Sequence, residues 1–259
     1  MSKINRKAII TGGSKGIGKA IAERFAKESI DVYLLASNEE RLKKTSSELQ
    51  NKYKVNVFYH ASDLKTRIGC ESAIKIIEND FEDFDTLIFS AGATKSGDFL
   101  KQPIEDFEDG FALKFYSAVR LSKAFWPTLS KNKGWVVSIN GAMSHSPDPF
   151  FMVGGAVNAA FLNFSKALSK KGIIDGVNVN SINPGMTSTD RLITIIQNTA
   201  DREGINFAEA ETKALKNIGL DRFGTPEEVA ELTYFLCNPK MRHLTGTEIN
   251  LDGGKKTTI

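Results

Sequence analysis

Short β-branched runs alternate with longer amphipathic stretches along the chain. Ala8-Ile9-Ile10, Val32-Tyr33-Leu34-Leu35, Val55-Asn56-Val57-Phe58 and Thr86-Leu87-Ile88-Phe89 read as buried strands. So do Trp135-Val136-Val137-Ser138-Ile139, Val177-Asn178-Val179-Asn180-Ser181-Ile182 and Glu248-Ile249-Asn250-Leu251. Runs this apolar fit strands covered on both faces. Between them the pattern predicts helices over 16–28, 39–52, 66–80, 104–131, 152–172 and 226–237. Thr225-Pro226-Glu227-Glu228 is a strong helix start, with a capping threonine, proline in the first turn and glutamate at the third position. Strand–helix alternation predicts an α/β fold: a Rossmann-type, doubly wound parallel sheet with helices on both faces. A single domain over 1–259 is expected. The stretch 187–220 breaks the rhythm with short helices after a strand's C-terminal end. Open α/β sheets bind ligands there, so it is expected to be a substrate or lid segment.

Charge and cysteine usage narrow the class. The net charge is +3 and the lysines are scattered, so no nucleic-acid partner is expected. Two cysteines, Cys70 and Cys237, are too few for a disulfide framework and suggest a reducing compartment. Lys3, Arg6 and Lys7 lead straight into the first strand, unlike a signal peptide. No apolar run reaches transmembrane length. A cytoplasmic protein with no membrane partner is expected.

The run Thr11-Gly12-Gly13-Ser14-Lys15-Gly16-Ile17-Gly18 follows the first strand and opens a helix. Gly12 permits a tight turn, Gly16 lets backbone approach a pyrophosphate, and Gly18 lets helix and strand pack closely. The amides of the helix start then face the phosphates. The second strand ends Leu35-Ala36-Ser37-Asn38, with no acid before Glu39. A carboxylate there would repel a 2′-phosphate, whereas Ser37 and Asn38 can donate hydrogen bonds to one.

These pieces, with Asp63-Leu64, Ala91-Gly92, Asn180 through Gly185, Thr187, Thr189, Arg222 through Ala230, and Thr245-Gly246 through Gly254, resemble the short-chain dehydrogenase/reductase family in its short single-domain branch. The resemblance covers nearly the whole length. It implies a dinucleotide site built from Gly12, Ser14, Lys15, Gly16, Ile17, Gly18, Ser37, Asn38, Asp63, Leu64, Ala91, Gly92, Lys114, Asn158, Pro184, Gly185 and Thr187. Asp63 would face the adenine, and Pro184, Gly185 and Thr187 the nicotinamide. Lys15 is similar to the basic residue that pairs with the 2′-phosphate in NADP-using relatives. NADP(H) is therefore expected in preference to NAD(H).

The family's chemistry uses a tyrosine acid, a lysine that lowers the tyrosine pKa, an orienting serine and an asparagine relay. By resemblance the tyrosine position falls on Gly154 and the lysine position on Asn158. The serine position falls on Gly141 and the asparagine position on Lys114. No tyrosine stands between Tyr116 and Tyr234. Lys and Asn have exchanged places, so Lys114 is expected to reach toward Asn158 and keep a positive charge near the nicotinamide ribose. Loss of the phenol should leave a hollow at Gly154, with Phe150, Phe151 and Met152 as neighbours able to fill it. Ser138 and Ser144 are the other serines near the vacated serine position. His145 lies on the loop after the fifth strand and reads as an exposed loop residue; Tyr116 reads as core or interface. His60 and His243 have no liganding spacing, so no metal is expected.

Two readings follow. The first is an NADP(H)-binding protein without the family's carbonyl-reductase chemistry, serving as a sensor, binding or structural protein. The second is a divergent NADP-dependent oxidoreductase, or a non-redox enzyme, acting on a small molecule. The resemblance implies a homo-oligomer, as a tetramer, because in relatives the helices corresponding to 104–131 and 152–172 pack against their symmetry mates; here they carry Phe107, Phe111, Phe115, Phe125, Phe161 and Phe164, more aromatic surface than one helix face needs.

Overall fold

Among the described residues seven strands overlap the seven apolar runs that predict them. The computed structural model describes residues 6–255. Lys3 and both ends of the predicted 1–259 domain lie outside the described residues. Strand β1 (Lys7–Thr11) is followed by helix α1 (Gly16–Lys27), β2 (Asp31–Ala36), α2 (Glu39–Tyr53), β3 (Val57–Ala61), α3 (Arg67–Asp80) and β4 (Thr86–Phe89). Then come α4 (Ile104–Gly110), α5 (Ser117–Lys131), β5 (Trp135–Ile139), α6 (Met152–Asp175) and β6 (Asn178–Pro184). Helices α7 (Asp190–Glu203), α8 (Phe207–Ile218) and α9 (Pro226–Leu236) precede the last strand, β7 (Glu248–Leu251). All pairings are parallel, in the order β3-β2-β1-β4-β5-β6-β7. The order reverses between β1 and β4, which opens a crevice at their C-terminal ends.

Each face of the sheet carries its own core. On one side Ile21, Phe25, Leu42 and Val229 of α1, α2 and α9 cover Ile10, Leu34 and Val137. On the other, Cys70, Phe81, Phe125 and Phe161 pack on Ile9, Leu35 and Leu87. The α9 start forms the predicted reciprocal cap: Glu228 N donates to Thr225 Oγ1 at 3.2 Å, and Thr225 N donates to Glu228 Oε2 at 2.8 Å.

Three expectations are corrected. Strand β3 begins two residues late, at Val57. The Asn56 amide and side chain are tied to the Asp31 carboxylate, each at 3.0 Å, and pairing starts only with Val32 opposite Val57. The predicted helix 104–131 is not uniform. A π-helical turn, Phe111–Tyr116, separates α4 from α5 and carries Lys114. The Ser117 hydroxyl donates to the Leu113 carbonyl at that junction. Phe125 and Phe161 are both 1% exposed within the protomer's own core, so they are not spare surface for an interface.

Within the predicted lid segment, α7 and α8 pack Leu192, Ile196 and Ala200 against Ala210 and Phe223, a small core of their own. No helix among the described residues is long and apolar enough to cross a membrane.

Candidate active site

The glycine loop closes against the end of β4. Gly12 has φ +72°, and a Cβ there would lie 2.9 Å from both Ala91 N and Ser90 O. Thr11 Oγ1 fixes the same junction by accepting from the amides of Ser90 and Ala91, each at 3.1 Å. A Cβ at Gly18 would sit 2.2 Å from Gly12 O, so only glycine allows α1 to start this close to the loop. No side chain caps α1 at Lys15. The first-turn amides of Gly16, Ile17 and Gly18 therefore meet no capping side-chain acceptor, as a helix start that takes an anion requires.

The remaining predicted cofactor positions lie along the same sheet edge. The Ser14 carbonyl accepts from Thr45 Oγ1 at 3.2 Å, which holds the loop. Ser37 is exposed after β2. Asn38 Oδ1 is committed to capping α2 at Arg41 N, 2.8 Å, which leaves its amide nitrogen as donor. Asp63 Oδ1 accepts from Lys65 N at 3.1 Å. The Leu64 side chain is buried at 2% exposure, so it can offer a ligand only its backbone. Ala91 and Gly92 follow β4, and Pro184 ends β6. A Cβ at Gly185 would approach Asp252 Cα to 2.9 Å, and Thr187 Oγ1 donates to Gly185 O at 3.1 Å. Lys15 is exposed, with Nζ 3.9 Å from Asp190. The crevice fits a dinucleotide: glycines where backbone must come close, free amides where phosphates would lie, and no acid at the β2 end.

The four positions read as catalytic in relatives share one region. Lys114 Nζ donates to Asn158 Oδ1 at 2.6 Å and to the Asn140 carbonyl at 2.7 Å. Its stem runs past Gly92, whose Cβ position is 3.5 Å from Lys114 Cδ. Burial, helped by the nearby charge of Arg191, brings the Lys114 amine down to about 7. Asn158 is 7% exposed, and its Nδ2 lies 2.8 Å from where a Cβ at Gly141 would stand. A serine at 141 would collide with that amide. Gly154 is buried one turn before Asn158. A Cβ on it would fall 2.0 Å from Phe151 Cε1 and Cζ, so the Phe151 ring occupies the space above it. Asn158 thus stands against Gly141, and Phe151 against Gly154.

Other sequence candidates stand apart. Ser138 is fully buried and bonded to Ser181 Oγ at 2.8 Å and Ser165 Oγ at 3.0 Å, a polar knot inside the core. His145 Nε2 contacts Glu248 Oε1 at 2.5 Å on an exposed loop. Tyr116 is 51% exposed and so is not core. No group of His, Cys, Asp or Glu able to hold a metal occurs among the described residues. Sequence reasoning missed Arg191, on the first turn of α7. Its guanidinium donates to Thr94 Oγ1 at 2.9 Å and lies 5.8 Å over the Phe151 ring. Its place just after Thr187 and Thr189 was the available signal.

A family profile described as enoyl-(acyl carrier protein) reductase matches residues 12–256. The chain belongs to the short-chain dehydrogenase/reductase family. It is 28% identical over 261 residues to the NADPH-dependent reductase BacG of Bacillus subtilis, covering 100% of both chains. It is 27% identical to the 3-oxoacyl-(acyl-carrier-protein) reductase FabG of Aquifex aeolicus, covering 95% of this chain and 96% of that one. Among solved structures, the L-sorbose reductase of Gluconobacter frateurii, complexed with NADPH and L-sorbose, superposes with TM-score 0.92 at 29% identity over 98% of each chain. A short-chain oxidoreductase of Pseudomonas aeruginosa, described as containing an atypical catalytic center and solved with NADPH, gives TM-score 0.87 at 25% identity over 98% of each chain. These full-length reductase relatives overturn the expectation of a protein without carbonyl-reductase chemistry. That expectation rested on the acid, its pKa tuner and the orienting serine all being absent from their usual positions. It did not foresee a buried amine of near-neutral pKa at Lys114.

Proposed function

We propose that the protein is an NADPH-dependent reductase of a small carbonyl compound in which Lys114, not a tyrosine, carries the proton. The observation behind this reading is the Lys114 ammonium, held by Asn158 Oδ1 and the Asn140 carbonyl with a pKa near 7. A group that titrates near the working pH can both hold a proton and release it. In this reading Gly154, Asn158, Gly141 and Lys114 occupy the family's tyrosine, lysine, serine and asparagine positions. The reductase names of the relatives and the atypical centre of the Pseudomonas structure support it.

NADPH would lie with its pyrophosphate on the amides of Gly16, Ile17 and Gly18. Lys15, Ser37 and Asn38 would receive the 2′-phosphate. Asp63 and the Leu64 backbone would flank the adenine; Ala91, Gly92, Pro184, Gly185 and Thr187 would flank the nicotinamide. When bound, NADPH supplies a hydride. Asn158 orients the Lys114 ammonium and keeps an amide hydrogen for the ribose. Lys114 gives its proton to the carbonyl oxygen as the carbonyl carbon becomes an alcohol carbon, and the neutral amine regains a proton from water. Phe151 keeps the space above Gly154 dry, and the segment 187–220 covers the crevice as a lid. NAD(H) lacks the phosphate that Lys15 would bind and is the poorer cofactor. Two buried thiols, Cys70 and Cys237, suit a cytoplasmic setting. The half-buried Phe111, Phe115 and Phe164, with exposed Tyr116, would be covered in a homotetramer.

The test is a pH–rate profile. Carbonyl reduction by the wild type should fall as pH rises through about 7, as the acid form of Lys114 is lost. Lys114→Met should lose about a hundredfold or more in turnover and still bind NADPH. Wild-type turnover in Lys114→Met, or no reduction of any aldehyde or ketone in a broad screen, would reject the reading.

A further inference from the structure

Beside Gly92 the crevice gathers two cations, and among the described residues neither is paired with a carboxylate. Lys114 and Arg191 stand on either side of Gly92: the Lys114 stem lies against its Cβ position, and Arg191 Nη1 lies 3.5 Å from its carbonyl. Arg191 makes its other bonds to the Thr94 carbonyl at 3.2 Å and hydroxyl at 2.9 Å. All these partners are neutral. Among the described residues no carboxylate pairs with Arg191 or Lys114. Arg202, farther along the same helix, differs because it pairs with Glu203 at 3.6 Å. Lys15 likewise has Asp190. Arg191 is exposed, so water screens part of their repulsion, but a cleft holding two like charges without a paired carboxylate concentrates an anionic ligand between them.

The cofactor does not account for this charge. Its phosphates belong to the α1 start, whereas Arg191 touches Gly92, Thr94 and Phe151, the residues around Lys114 and Gly154. One edge of the guanidinium is spent on Thr94. The donors not used on Thr94 and Gly92 remain for a ligand, and a guanidinium matches the plane of a carboxylate.

We propose that the substrate is an oxo carboxylate, with its carboxylate on Arg191 and its carbonyl oxygen at Lys114. This rests on the reductase reading above for the reaction, though not for the binding. Pairing with a carboxylate also cancels the charge that disfavours the Lys114 ammonium. The substrate would thereby keep the proton donor protonated when it is needed. The apparent pKa governing kcat should therefore exceed the one governing kcat/KM.

The experiment is calorimetry on the full chain with NADP+ bound, so that no turnover is needed. The probes are pyruvate, acetoacetate, levulinate and phenylpyruvate, each beside its methyl ester. At least one acid should bind about tenfold or more tighter than its ester, the worth of a charged hydrogen bond. Arg191→Met should abolish that preference and leave NADP+ affinity unchanged, which also shows the variant is folded. Arg191→Lys should restore part of it. Acids and esters that bind alike, no acid that binds above its ester, or an equal loss of NADP+ affinity in Arg191→Met would overturn the proposal. Acid binding that depends on Arg191 with no reduction by wild type would uphold the anion site and count against the reductase reading alone.

Discussion

Stability should climb with pH above neutrality, and Lys114 should be the cause. Burial brings its amine from 10.5 to about 7 in the folded chain. An unfolded lysine keeps its proton to about 10.4. Between those values the unfolded chain binds one more proton than the folded chain, so the folded state gains as protons become scarce. The slope approaches about 1.4 kcal/mol per pH unit. From about pH 7 to about pH 9 the lysine should add roughly 2 kcal/mol, and well below pH 7 its contribution is flat. Lys114→Met removes the titrating amine and leaves the Asn140 carbonyl and Asn158 Oδ1 without their donor, at a cost of about 1–3 kcal/mol for each unpaired group. Absolute stability at one pH therefore mixes two opposing effects, while the pH dependence isolates the proton. Urea melts of both proteins across this range measure it. The wild type should gain roughly 2 kcal/mol relative to Lys114→Met between about pH 7 and about pH 9. Parallel curves would mean an ordinary lysine and would remove the proton donor from the proposed reaction.

Three further outcomes are expected. Lys15 pairs with Asp190 only at 3.9 Å with both side chains exposed, a contact worth little, so it is free to turn to a phosphate; Lys15→Ala should weaken NADPH about tenfold and NADH hardly at all, and equal losses in calorimetry would reject the role. Gly154→Ala should destabilise by about 1–3 kcal/mol through contact with Phe151, despite alanine's helix preference; Phe151→Leu in the same chain should recover the loss, and a stabilised Gly154→Ala in thermal melts would contradict the packing. Light scattering at micromolar concentration should give a multiple of the chain mass, as a tetramer; the mass of a single chain would refute the assembly.

Local signals in the sequence were enough for the fold and the cofactor crevice. A strand covered on both faces needs a short apolar run, and a glycine loop needs its glycines in fixed order, so both are written within a few residues. The β4, β5 and β7 strands fall on their predicted runs, and the cap at Thr225 forms as its four residues foretell. The expectation that Lys114 reaches toward Asn158 was also drawn from the sequence. The tertiary structure alone decided what those residues do. Lys114 and Asn158 are 44 residues apart, and no local pattern fixes a 2.6 Å contact between them. The lysine stands in a π-helical turn that breaks the regular helical period on which local patterns rest. The Phe151 ring over Gly154 is likewise a rotamer chosen by the cavity it fills. The near-neutral amine has the same origin, because burial and the charge of Arg191 on α7 are properties of the assembled fold. Missing those non-local terms is why an absent tyrosine, read along the chain, suggested absent chemistry.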